Sequence, residues 1–129
     1  MGKGKPHMEF KALDMEGGWE CPAGYPDGIE QKILAADIDE DGKSGSRTRL
    51  LRFQPGAYST VPFVHDHWEE VYLVEGDLIV GNDENGDGGE KFLAPTYACR
   101  PPGVHHGPFK SDTGCILYEL HYYYDADEA

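Results

Sequence analysis

The feature that most constrains this chain is its punctuation. Seventeen glycines and nine prolines are scattered along 129 residues, and the β-branched, aromatic and leucine residues fall into short runs between them. The clearest runs are Arg47–Phe53, Glu70–Glu75, Asp77–Gly81, Tyr97–Arg100 and Cys115–Tyr124. Evenly spaced short strands separated by turn residues predict an all-β sandwich or barrel. No segment keeps a helical period over three turns. Residues 28–36 (GIEQKILAA) are the best helix candidate, yet their alternation also suits an early strand. The length predicts one domain. Residues 1–8 are set aside as a tag or disordered start, residues 9–124 form the domain, and residues 125–129 form an acidic tail.

Charge excludes several partners. Eleven basic residues against 24 acidic ones give a net charge of -13, a field that repels nucleic-acid phosphates and anionic membrane surfaces. No apolar run is long enough to span a bilayer, and no apolar stretch follows the first lysines to make a secretory signal. Cys21, Cys99 and Cys115 are odd in number and irregularly spaced, which predicts free thiols and a reducing, cytoplasmic location. Two acidic loops carry the opening of a calcium loop: Asp37, Asp39, Asp41, Gly42, and Asp83, Asn85, Asp87, Gly88. Thr48 and Ala94 stand where the closing glutamate belongs, and the same residues are those that tight turns select, so the loops are read as turns.

Chemistry concentrates in the histidines. In the segment Val64-His65-Asp66-His67-Trp68-Glu69-Glu70, an extended chain would project His65, His67 and Glu69 from one face. Two imidazoles and a carboxylate supply much of a first-row metal's coordination shell. A second pair, His105 and His106, follows Pro101-Pro102-Gly103, and adjacent strand residues face opposite ways, so one of the two looks inward. Glu70 is the alternative carboxylate if a bulge shifts the parity. Glu119 and His121, at strand spacing, can face the same cavity or an outer surface. No nucleophile elbow occurs, and no phosphate-cradling glycine loop precedes a helix.

These residues carry a resemblance. Pro101-x-Gly103-x-x-His106 matches the second sequence motif of the cupins, which selects His106 over His105, and Glu69 and Gly76 keep the glutamate-to-glycine spacing of the first motif. From about Arg47 to Tyr122 the sequence resembles a small single-domain cupin. It is especially similar to the group of cupin anti-sigma domains and acetylacetone-cleaving dioxygenases, which share the Pro-Pro-Gly turn before a Pro108-Phe109…Gly114-Cys115 type of segment. The resemblance implies a double-stranded β-helix (jelly-roll) barrel around a divalent transition metal, Fe(II) first, with Zn, Mn, Ni or Cu as alternatives.

The interval from His67 to Glu69 is shorter than in the family, so two ligand sets stand: His65, His67, Glu69 and His106, or His65, Glu69 and His106 with water or substrate completing the shell. Pro95 and Lys110 also depart from the second motif. The implied activity is a non-haem iron dioxygenase acting on a chelating diketone or hydroxyketone, with Glu69 as ligand or base and His121 assisting it. A non-catalytic metal or ligand sensor and a metal-dependent isomerase or lyase are the alternatives. The tyrosine-rich last strand is the expected seam of a homodimer.

Overall fold

The computed structural model describes residues 4–124; the acidic tail lies outside them. Every regular element among the described residues is a strand, and no helix is long and apolar enough to cross a membrane. The strands are β1 (Ile29–Ala36), β2 (Ser46–Phe53), β3 (Trp68–Val80), β4 (Glu90–Leu93), β5 (Thr96–Arg100), β6 (Phe109–Lys110) and β7 (Cys115–Tyr122). All pairings are antiparallel. One sheet runs β1-β2-β7-β3-β5, and the end of β3 pairs with β4 on one side and β6 on the other. This is an all-β, antiparallel barrel of the jelly-roll kind that the sequence resemblance implies.

Segment 28–36 is therefore a strand, not a helix. A bulge between Ile33 and Ala35 breaks its period-two alternation, which is why its apolar residues mimic a helical spacing. The runs Glu70–Glu75 and Asp77–Gly81 are one bent strand. β3 serves the large sheet up to Gly76 and the small one from Asp77 onward. Gly76 makes the corner: its φ is +86°, and a Cβ there would lie 2.0 Å from the carbonyl oxygen of Gly114, so no other residue fits. The residues set aside at the start touch the barrel: the Gly4 N–H donates to Asp37 and the Lys5 ammonium to Thr48.

Strand register explains both the core and the site. Side chains of one parity point into the barrel. In cross-strand rows these are Phe53 and Cys115; Leu51, Leu117, Leu73 and Thr96; Arg49, Glu119, Val71 and Ala98; then Arg47, His121, Glu69 and Arg100. The first two rows, Thr96 excepted, build the apolar core with Ile29, Val71 and Leu78. The last two turn the same interior into a polar end. Both acidic loops fold onto themselves. Asp39 accepts the Gly42 N–H, and Asp83 accepts those of Asn85 and Asp87, as turn residues do.

Candidate metal centre

The two histidine segments are laced together by backbone. Phe63 and His106 exchange N–H···O bonds of 2.7 and 2.8 Å, and the Gly103 N–H donates to His65 O at 2.8 Å. That pairing delivers His106 inward, 9% exposed, and leaves His105 in solvent. Residues 64–67 precede β3 and do not continue its extension. As a result His65 and Glu69 meet His106, with one ligand atom of each within 4.8 Å of the others. His67 does not join that group. Its ring stacks between His65 and His121, at centroid distances of 4.6 and 4.7 Å. Glu70 lies on the outer face, where it accepts the Tyr97 hydroxyl.

The hydrogen bonds fix where the imidazole protons sit. His106 Nδ1–H donates to Val104 O at 3.2 Å, so in the neutral ring Nε2 carries a lone pair. That lone pair faces Glu69 Oε2 at 3.1 Å. Two acceptors so placed repel unless a cation sits between them. A proton is disfavoured, because burial lowers the His106 pKa more than Glu69 raises it. Burial, partly offset by Glu69 and reinforced by the neighbouring histidines, pushes His65 down to about 4. Both rings are thus neutral and able to ligate at neutral pH. His67 is similar: Nδ1–H donates to Trp68 O at 3.1 Å, and its buried Nε2 has no hydrogen-bond partner.

His121 is oriented the other way. Arg47 donates to its Nδ1 from Nε at 3.0 Å and Nη2 at 2.9 Å, placing the ring proton at Nε2, which lies 3.0 Å from Glu69 Oε1 and 3.2 Å from Glu119 Oε1. Burial opposes charging this ring, and the two carboxylates outweigh it. Glu119 is held by Arg49, whose guanidinium donates to it at 2.8 Å and to Gln31 Oε1 and Tyr25 OH at 2.7 and 3.1 Å. Glu69 is therefore clamped: His121 holds Oε1, and Oε2 is left to His106 and, at 3.5 Å, to Arg100. Supporting groups of this kind orient metal ligands.

Three arginines of this arrangement, Arg47, Arg49 and Arg100, stand outside the motif residues. A signal was present: in Ser46–Phe53, Arg47 and Arg49 share a parity with Leu51 and Phe53, the inward face.

Beside Glu69 and His106 opens a cavity of about 210 Å³, walled mainly by apolar side chains, including Phe53, Phe63, Leu73 and Phe92, with Arg100 and Glu119 also on its surface. The residues present fit a divalent metal held by His65, Glu69 and His106, beside an apolar chamber for a small molecule.

The profile of the ChrR cupin-like domain matches residues 19–124. Among solved structures, the fold is similar to an RmlC-like cupin from Shewanella frigidimarina, with a TM-score of 0.63, 23% identity, and coverage of 95% of this chain and 97% of that one. An acetylacetone dioxygenase from Acinetobacter johnsonii gives a TM-score of 0.62 at 20% identity, covering 98% and 85%. KdgF from a Halomonas species gives 0.62 at 19% identity, covering 91% and 97%. At these identities the likeness is one of fold. The chain has no significant sequence match among curated proteins.

Proposed function

This chain belongs to the ChrR cupin-like domain family, and from that premise we propose that it is a metal-dependent enzyme acting on a small chelating carbonyl compound of the diketone or hydroxyketone type, with Fe(II) as its metal. The observation that carries this reading is the His106 Nε2 lone pair facing Glu69 Oε2 at 3.1 Å, an arrangement that calls for a cation, at the edge of an apolar cavity. A bound divalent metal supplies Lewis acidity and, as iron, electrons for dioxygen. The chain's own groups do the rest. His65, Glu69 and His106 would hold the ion, and the His121 Nε2–H keeps Glu69 turned toward it. The apolar walls exclude water and confine the substrate body.

Elemental analysis of protein purified without chelator is the first test: iron near one per chain is expected, and no transition metal at all would sink the proposal. Oxygen uptake with a panel of diketones and hydroxyketones is the second. Metal-dependent turnover without oxygen consumption would move the assignment to an isomerase or lyase.

A further inference from the structure

We propose that one of the substrate's two chelating oxygens belongs to a carboxylate held by Arg100, which makes the substrate class a 2-oxo monocarboxylate with a short branched or single-ring body. This rests on the metal reading above and narrows it. Three observations lead to it, the first being the use made of each arginine. Arg47 is spent on His121, and Arg49 on Glu119, Gln31 and Tyr25. Neither lines the cavity. Arg100 does line it; its guanidinium lies 5.6 Å from the centroid of the Phe109 ring, and its one side-chain hydrogen bond is a long 3.5 Å contact to Glu69. Its remaining N–H donors have no partner among the described residues, and a planar guanidinium beside a cavity is suited to a carboxylate.

The second observation is charge. Arg47, Arg49 and Arg100 face Glu40, Glu69 and Glu119 across the site, so the centre is balanced without a metal. A divalent cation on Glu69 would leave two positive charges in excess, in a chain that is otherwise strongly acidic. A monocarboxylate offsets one of those two charges; a neutral dione offsets neither.

The third is size and lining. An apolar cavity of about 150 Å³ accepts benzene, so about 210 Å³ accommodates a body of one ring or a branched chain. Leu51, Phe53, Leu73, Val80 and Leu117 on its surface, with the uncharged Tyr25, Thr96 and Tyr97, leave Arg100 without a second lysine or arginine among the described lining residues, so a second carboxylate would have no cation to pair with.

The test is calorimetric and uses the full chain loaded with zinc, which has no redox chemistry to consume the probe. The probes are 4-methyl-2-oxopentanoate and 5-methylhexane-2,3-dione, which share the adjacent carbonyls and the branched tail and differ in the charge. The acid is expected to bind at least about tenfold more tightly. Arg100→Gln should bring the two within about twofold, and Arg100→Lys should keep part of the preference. Equal binding of both probes, no binding of the acid, or a preference that survives Arg100→Gln overturns the inference; the first two outcomes need no variant. Zinc content is measured in the same samples. Failure to take up zinc sinks the metal reading, and the acid is then titrated into metal-free wild type and Arg100→Gln, where binding that does not depend on Arg100 overturns this inference as well.

Discussion

Glu119→Gln removes one charge from the buried pair that anchors the site while keeping the shape of the side chain. Arg49 and Glu119 are 5% and 6% exposed along their side chains and meet at 2.8 Å. Deleting one partner of a buried pair strands the other, at a cost of about 3–5 kcal/mol. The glutamine oxygen still accepts a hydrogen bond, so the lower figure applies. For a chain of this length, 1 kcal/mol moves the melting temperature by about 3–5 °C, so a loss of about 10 °C is expected in metal-free protein at neutral pH. Burial alone would raise the Glu119 pKa; the Arg49 charge and the His121 and Arg49 hydrogen bonds outweigh it and bring it from 4.5 to about 2. A carboxyl so depressed contributes stability that is fully present above pH 4.5 and fades as the pH falls from 4.5 toward 2. Glu119 also helps raise the His121 pKa, so the gap shifts near neutral pH where that ring titrates; below about pH 5 the gap between wild type and Glu119→Gln should narrow, as followed by urea unfolding. Arg49→Met combined with Glu119→Leu should lie above either single charge deletion, since no charge is left stranded. A melting shift under about 3 °C, or a gap that widens on acidification below about pH 5, would refute this account of the pair.

Three further outcomes are expected. His106→Ala should abolish metal retention, measured by elemental analysis, while His105→Ala, whose ring is exposed, should leave it intact. Gly76→Ala should cost about 3–5 kcal/mol in urea unfolding, because its Cβ meets the Gly114 carbonyl at 2.0 Å; Gly56→Ala, also at positive φ but in open space, should cost about 1–2 kcal/mol. In native protein at pH 8, Cys21 and Cys99 should react with a thiol reagent and Cys115 should not, because Cys115 is buried and its pKa is pushed up to about 11.

The barrel was legible because turn residues and alternation are local signals. Where alternation fails, so does the reading: the bulge after Ile33 left residues 28–36 undecided between helix and strand, and Gly76 was read as an end of strand when it is a corner within one. Strand spacing offered His65 and Glu69, and the resemblance to the second cupin motif chose His106 over His105. The same spacing placed His67 with them, on the assumption that the chain is extended from His65 to Glu69. It is not, since residues 64–67 lie outside β3, and His67 instead stacks on its neighbours with its Nε2 4.0 Å from Glu40 Oε1 and without a hydrogen bond. Arg47, Arg49 and Arg100 were hidden for a different reason. Charge in a strand reads as solvent exposure, which masked the parity that Arg47 and Arg49 share with Leu51 and Phe53; the register of β2 with β7 and of β3 with β5 shows that all three arginines point inward.

Core and site share one parity, and that has consequences for what sequence change can do. The row Arg47, His121, Glu69, Arg100 alternates cation, imidazole, carboxylate and cation across four strands, so each buried charge or ring has an acceptor or donor beside it. Sliding β2 by one residue would move Arg47 and Arg49 to solvent and Leu51 and Phe53 with them. The apolar rows therefore hold the arginines inside, and the register that stabilises the barrel also enforces the site. Within that frame the four arginines of the chain divide unequally. Arg52 pairs with Glu30 on the outer face, and the other three converge on two buried carboxylates and an exposed one, Glu40. In a chain with 24 acidic residues, Arg100 alone of these arginines reaches the wall of the apolar cavity, and its guanidinium is the local charge that favours an anionic ligand there against the repulsion of the whole surface.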